Sequence, residues 1–345
     1  MFFTTEKIVL NKNRNVTLTA MLQSVGGEFE KIDKRPAILI LPGGGYSMCS
    51  DREAEVVAYA YLQAGFQAFV LRYSVKDQRT WPNPLDDYEQ AMDMIRGNEE
   101  TWHVLPDKIA VIGFSAGGHL AASAATMAKN RPNAAILGYA ALELDIAQVC
   151  QPGTDVPSPT NYVDGKTPPC FLFAARDDAV VPIHNTLNFQ LALTKYGIQF
   201  ESHIYAYGGH GFGTGAVNVA GDTICHRIPD WVGDSIGWLE DVLGRLTLNG
   251  MDKPRVSGKI MGDFDEMLSV DCTYRYVRQF DAARIVLAEF YAIVDKVIET
   301  RFAGSSLAAD ILGGMTLRDM MRSLAFPAEK IDTINEGLMK IPNER

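Results

Sequence analysis

A serine framed by glycines stands at Gly113-Phe114-Ser115-Ala116-Gly117-Gly118, directly after the apolar run Ile109 to Ile112 and directly before an alanine-rich stretch. GxSxG between a strand and a helix is the pattern of a nucleophile elbow, which raises the serine Oγ above the edge of a sheet. The turn leaves no room for flanking side chains, hence the glycines. The helix N-terminus behind the serine favours developing negative charge. A serine hydroxyl is a weak nucleophile until a base takes its proton. In the chain order serine, acid, histidine, the candidates are Asp177, in Arg176-Asp177-Asp178-Ala179-Val180-Val181-Pro182, and His210, in Tyr207-Gly208-Gly209-His210-Gly211-Phe212. Each follows a later apolar run, where loops leave the C-terminal edge of a parallel sheet.

His103 and His184 fall in loops, His203 within a strand and His226 in a polar loop. His119, one helical turn after Ser115, reads as a packing residue, which leaves His210 as the base. Asp177 and Asp178 compete to orient and stabilise its imidazole. The reading favours Asp177 and gives its neighbour a capping or solvent-facing place, with Glu143 and Asp145 as more distant alternatives. Leu41-Pro42-Gly43-Gly44-Gly45-Tyr46 supplies the third part. Backbone N–H groups of Gly44 and Gly45, with that of Ala116 after the nucleophile, can form an oxyanion hole, where each donor is worth about 2.7–4 kcal/mol. A dinucleotide-binding turn is refused by Met48, which stands where GxGxxG needs glycine.

The elements that must hold these residues are short apolar runs: Pro36 to Leu41, Gln67 to Leu71, Ile109 to Gly113, Ala135 to Tyr139, Cys170 to Ala174 and Glu201 to Tyr205. Such runs suit strands buried on both faces. Helical spacing fills the gaps over Glu53 to Gln63, Asp86 to Arg96 (its paired aspartates placed to cap the start), His119 to Lys129 and Asn185 to Tyr196. The alternation predicts an α/β fold with a mostly parallel sheet and right-handed crossovers. Ahead of it, Thr5 to Leu10 and Val16 to Leu22 predict two antiparallel strands. Asn249-Gly250 and Lys253-Pro254 read as a linker. The spacing beyond predicts a helix over Arg278 to Glu299 with Phe280, Leu287, Phe290, Val294 and Val297 on one face, a shorter one after Thr316 and a third from Ala328 to Lys340. The expected domains are therefore 1–248, catalytic, and 249–345, a small helical appendage whose apolar face offers a homodimer contact.

Composition narrows the classes. At 345 residues, 47% hydrophobic and 21% charged, the chain can bury cores for about two domains. A net charge of -10 argues against a nucleic-acid partner. Apolar stretches fall short of the roughly 18 residues a bilayer span needs, and the first residues lack the form of a signal peptide. Cysteines 49, 150, 170, 225 and 272 are scattered without CxxC spacing. They read as reduced thiols in a cytoplasmic protein with no metal site.

Leu41 to Tyr46, Asp107 to Leu120, Pro168 to Pro182 and Gly208 to Phe212, in that order, resemble the α/β-hydrolase superfamily, and within it the bacterial acetyl-xylan or feruloyl esterase-like branch. The likeness covers about residues 1–245. It implies an open, mostly parallel sheet flanked by helices and a triad of Ser115, Asp177 and His210, the first aspartate of the pair being the catalytic one in related serine hydrolases. Pro42, where lipase-like relatives carry histidine, agrees with the carbohydrate-esterase branch. The implied reaction removes a short acyl group, acetyl above all, from a sugar or oligosaccharide through an acyl-enzyme, with no cofactor. Tyr46, Tyr73 and Trp81 are candidates to line an acceptor site or to pack in the core, and Glu143 to Thr167 is long enough to border the pocket. A prolyl-oligopeptidase-like peptidase shares the triad order, though only about 35 residues precede the first core strand, and a non-catalytic hydrolase scaffold has no need of all three triad residues.

Overall fold

The computed structural model describes residues 3–150, 155–260, 262–302 and 306–343. Two compact units divide it, Met1–Gly258 and Lys259–Arg345. In the first, the chain runs β1 (Phe3–Asn11), β2 (Val16–Gln23), β3 (Arg35–Leu41), α1 (Glu55–Gln63), β4 (Gln67–Arg72), α2 (Asn83–Gly97), β5 (Val104–Phe114), α3 (Ser115–Met127), β6 (Ala134–Gly138), α4 (Leu144–Cys150), β7 (Cys170–Ala175), α5 (His184–Lys195), β8 (Phe200–Tyr205), α6 (Val217–Ala220) and α7 (Asp230–Leu243). A two-stranded hairpin, β9 (Leu246–Thr247) and β10 (Gly250–Met251), closes it.

The eight-stranded sheet has the order β1-β2-β4-β3-β5-β6-β7-β8. β1 pairs antiparallel with β2 and β2 with β4; from β4 to β8 every pairing is parallel. The continuous apolar runs follow from burial on both faces. Leu39, Leu41, Val111, Leu137 and Leu172 join a core with Tyr88 and Met92 of α2, Leu120 and Ala124 of α3 and Phe189 of α5. Their alternates Ile38, Ile40, Ile112, Ile136, Phe171 and Phe173 face the other way, onto Val57 and Tyr61 of α1 and Trp231 and Leu239 of α7.

α2 begins at Asn83, with Pro84 in its first turn, a position proline tolerates because the N–H there has no helical partner. The expected cap at Asp86 and Asp87 is therefore not what starts it. Asp87 turns inward, fully buried, pairs with Arg14 and accepts the Ser74 N–H at 2.8 Å.

The first unit extends to Gly258, beyond the expected limit at 248. The hairpin of the supposed linker stays with it: Lys31 Nζ donates to Asn249 Oδ1 at 2.8 Å, and Gln199 N–H to the Gly258 carbonyl at 2.9 Å. The second unit holds α8 (Tyr274–Val277), α9 (Asp281–Val286), α10 (Ala288–Phe302), α11 (Ser306–Gly313), α12 (Leu317–Ser323) and α13 (Ala328–Leu338). The single helix expected over Arg278 to Glu299 is thus broken at Leu287, which ends α9 and is itself fully buried. α11 lies outside what the sequence reading anticipated. No helix among the described residues is long and apolar enough to cross a membrane. Cys49, Cys170, Cys225 and Cys272 are free thiols, and the side chain of Cys150 lies outside the described residues.

Candidate active site

Ser115 opens α3 immediately after β5, with φ at +52°. A non-glycine residue in that region costs on the order of 1–3 kcal/mol and persists where its surroundings hold it. A Cβ on Gly113 would sit 2.1 Å from the Gly117 carbonyl oxygen, and one on Gly117 would sit 2.1 Å from that of Leu41. Only glycine lets β5, the first turn of α3 and the end of β3 come this close, which is the physical content of the motif. The Ser115 carbonyl accepts from Ala141 N–H at 3.2 Å, joining the elbow to the chain leaving β6.

His210 lies on the loop after β8, and its Nε2 is 2.9 Å from Ser115 Oγ. Its Nδ1 is 2.7 Å from Asp178 Oδ2. With Nδ1–H donating to the carboxylate, Nε2 is left to accept the serine proton, the protonation pattern that a general base requires. The imidazole is 17% exposed and the Asp178 side chain not at all, so this bond is shielded from water.

Asp178, not Asp177, therefore faces the histidine. β7 ends at Ala175, and a turn closed by Asp178 N–H on the Ala175 carbonyl (3.3 Å) carries Asp178 inward. Its other oxygen, Oδ1, accepts from Val180 and Val181 N–H at 2.9 and 2.8 Å, which fixes the carboxylate plane. Asp177 stays exposed and uses Oδ1 to accept from Gly208 and Gly209 N–H, both at 2.9 Å. It braces the backbone just before His210 and does not touch the ring. Of the more distant alternatives, Asp145 pairs with His184.

The glycine loop after β3 is held at several points. Tyr73 O–H donates to the Pro42 carbonyl at 2.5 Å, Ser50 N–H to the Gly43 carbonyl at 2.9 Å and Lys76 N–H to the Tyr46 carbonyl at 2.8 Å. Among the described residues the N–H groups of Gly44 and Gly45 donate to no protein acceptor. Ala116 N–H belongs to the first turn of α3, where N–H groups have no partner within the helix. Tyr46 and Tyr73 are core residues, 0% and 2% exposed, and not an open acceptor platform. Trp81 is half-buried, its ring edge against His119.

Three residues outside the expected set, His119, Glu53 and Tyr139, complete the surroundings. His119 is fully buried; its Nε2–H donates to the Pro157 carbonyl at 2.9 Å, so its Nδ1 accepts from Tyr46 O–H at 2.8 Å. This ties the glycine loop and the segment Glu143 to Thr167 to α3, and burial pushes the imidazole down to about 4. Glu53, 4% exposed, accepts from Gly43 N–H at 2.9 Å and from Tyr139 O–H at 2.5 Å. Burial raises the Glu53 carboxyl above its ordinary range, opposed by those two hydrogen bonds and by the charge of His210. A Ser-x-x-Glu spacing (Ser50 to Glu53) is the signal the sequence offered, but it reads as a helix start, not as a loop anchor. Among the described residues no group of three or more His, Cys, Asp or Glu is arranged to hold a metal ion.

The BD-FAE family model matches residues 29–152. The chain is 30% identical over 206 residues to the endo-1,4-beta-xylanase B of Butyrivibrio fibrisolvens, covering 52% of this chain and 32% of that protein. It is 32% identical over 217 residues to an acetylxylan esterase of Xylanibacter ruminicola, covering 57% and 45%. It thus spans less than half the length of these curated relatives. Among solved structures, MGS-M1, an alpha/beta hydrolase enzyme from a Medee basin deep-sea metagenome library, is 44% identical with a TM-score of 0.65, matching 70% of this chain and 98% of that one. An acetyl ester-xyloside bifunctional hydrolase from Caldicellulosiruptor lactoaceticus is 28% identical with a TM-score of 0.61, over 69% and 96%. MGS-M1, 44% identical and matched over 98% of its length, shows that the chain belongs to the α/β-hydrolase superfamily.

Proposed function

We propose that the protein is a serine carboxylester hydrolase that removes short acyl groups, acetyl above all, from a sugar or oligosaccharide. The observation that carries the reading is the unbroken line from Ser115 Oγ to His210 to Asp178, at 2.9 and 2.7 Å. His210 Nε2 takes the hydroxyl proton as Ser115 Oγ attacks the ester carbonyl, and the Asp178 carboxylate steadies the imidazolium that forms. The tetrahedral oxyanion is held by the N–H groups of Gly44, Gly45 and Ala116. The intermediate collapses, His210 gives its proton to the departing alcohol, and the acyl group remains on Ser115. Water, deprotonated by His210, then attacks the acyl-enzyme carbonyl, and as the second intermediate collapses His210 returns that proton to Ser115 Oγ and the acid leaves.

Support for the substrate class comes from relatives named as an acetylxylan esterase and an acetyl ester-xyloside bifunctional hydrolase. Fold alone would not choose it. The reading is tested with p-nitrophenyl acetate, butyrate and octanoate, assayed on the wild type and Ser115→Ala together. Rapid turnover that falls off with acyl length and vanishes in Ser115→Ala is expected. Equal slow rates in the two proteins would overturn it.

A further inference from the structure

Glu53 takes no part in the reaction described, yet it is a buried carboxyl set among the loops that carry it. Its Oε2 accepts from Gly43 N–H at 2.9 Å, one residue before the first oxyanion donor. Its Oε1 accepts from Tyr139 O–H at 2.5 Å, and the Tyr139 oxygen in turn accepts from Gly213 N–H at 3.0 Å. Gly213 closes the loop that bears His210, and its carbonyl is held by Trp231 Nε1–H at 3.0 Å. The Tyr139 ring packs edge-on against the His210 ring, centroids 5.0 Å apart. Tyr139 itself leaves β6 with φ at +33°, outside the ordinary range for a side-chain-bearing residue.

We infer that Glu53 is a positioning residue for ester hydrolysis, locking the oxyanion loop through Gly43 and the His210 loop through Tyr139 into one register. The inference rests on the serine-esterase reading above. A carboxylate suits the place because it offers two acceptor oxygens and no donor, and two donors converge on it. A glutamine would turn an amide N–H toward one of them. An apolar residue would leave both donors without partners in a buried site. The groups facing Glu53 are the Gly43 N–H, Tyr139 O–H and the more distant charges of His210 and Arg52. Chain leaving three different strands is thus tied to one carboxyl group, directly at Gly43 after β3 and Tyr139 after β6, and through the Tyr139 hydroxyl at Gly213 after β8. A residue serving only the fold would not need to reach both the residue before the first oxyanion donor and the tyrosine packed against the ring that moves the proton.

The consequence is felt in the transition state. Loosening donors that are formed but mispositioned should lower kcat while leaving ground-state affinity in place. The test measures kcat and KM for p-nitrophenyl acetate, and inhibition by a boronic acid that forms a tetrahedral adduct on serine. The proteins are wild type, Ser115→Ala, Glu53→Gln and Tyr139→Phe. We expect kcat to fall about ten- to a hundredfold in Glu53→Gln, with KM within about threefold and boronate affinity weakened in parallel. A Glu53→Gln protein that folds and keeps kcat within about twofold, or loses only through KM, overturns the inference. If Glu53→Gln does not fold, Tyr139→Phe decides on the same criterion, since it removes one hydroxyl and keeps the ring. Ser115→Ala separates the two claims. Turnover surviving Ser115→Ala sinks the esterase reading and this inference with it. Turnover lost in Ser115→Ala but kept in Glu53→Gln sinks this inference alone.

Discussion

In the first unit, the loops leaving the sheet are held by buried polar groups: Asp178 takes three hydrogen bonds, Asn185 Oδ1 accepts from Leu142 and Glu143 N–H at 2.8 Å, and His119 bridges two segments. The second unit is built around Leu268, Val270, Tyr274, Leu287, Phe290, Val294 and Met321, an apolar cluster. Its ion pairs, such as Arg318 with Asp271 and Lys330 with Glu289, lie at the surface. Apolar burial is strong but non-directional, whereas a satisfied buried hydrogen bond fixes where an atom sits and is costly to leave unmade. Substitutions in the first kind of region should therefore register in turnover, and in the second in stability.

The largest expected effect tests this within one turn of chain. Asp178→Asn leaves the shape of the residue but cannot hold the Nδ1–H tautomer, so kcat should fall by roughly 10³- to 10⁴-fold. Asp177→Asn keeps an acceptor for Gly208 and Gly209 and should cost less than about tenfold. Steady-state kinetics on p-nitrophenyl acetate compare the two directly. Equal losses, or a greater loss at Asp177, would mean that the buried bond is not what distinguishes them.

That pair also marks where sequence reasoning stops. The strands were legible because burial on both faces writes itself as unbroken apolar runs. The elbow and the glycine loop were legible because backbones approach there at distances only glycine permits. Asp177 and Asp178 are adjacent, alike and both just past β7; which one turns inward depends on a turn closed on Ala175, and composition does not encode that direction. Glu53 and Tyr139 were invisible for a related reason: their partners Gly43 and Gly213 give backbone N–H groups, which every residue has. In the second unit the apolar period runs on through Phe280, Leu287 and Phe290 although the helix does not. No proline or glycine marks the break, and Leu287 is buried whether or not its backbone is helical.

A core substitution in the second unit should have the converse signature. Phe290, 1% exposed, packs against Tyr274 and Phe326. Phe290→Ala should cost about 3–5 kcal/mol of that unit's stability. All four tryptophans (81, 102, 231 and 238) lie in the first unit, so their fluorescence reports it alone. Urea titration followed by far-UV circular dichroism should show an earlier transition in the variant, with tryptophan fluorescence and kcat unchanged. A matching fall in both would erase the distinction between the regions.

Acid should separate them by a smaller margin. Above pH 6.5 the His119 imidazole is neutral whether folded or unfolded. Between 6.5 and about 4 the unfolded chain binds a proton that the buried ring refuses, so stability declines as pH falls through that window. The full loss, reached below about 4, is roughly 3 kcal/mol. All six histidines precede residue 227, so the second unit has no such contribution. Tryptophan-detected urea midpoints from pH 7 to 4 should fall more steeply in the wild type than in His119→Gln. Parallel slopes would show that His119 is not what makes the first unit sensitive.

The finest test asks whether one directional bond matters in the region where apolar packing dominates. Thr316 caps α12: its Oγ1 accepts from Asp319 N–H at 3.1 Å and donates to Asp319 Oδ2 at 2.8 Å. Removing such a cap leaves a helix N-terminal donor to water alone and typically costs about 1 kcal/mol. Asp319 adds a negative charge in the first turn, where it opposes the helix dipole favourably. Thr316→Ala should lower the urea midpoint of the second unit by an amount equivalent to about 1 kcal/mol, while Thr316→Ser, which keeps the hydroxyl, should lie within a few tenths of the wild type. The backbone bridge between Thr273 and Thr316 survives both changes, so a loss confined to alanine belongs to the hydroxyl. Should the alanine variant match the wild type, the second unit would rest on its apolar cluster without help from this cap, and the contrast with the polar anchoring around Ser115 would be sharper still.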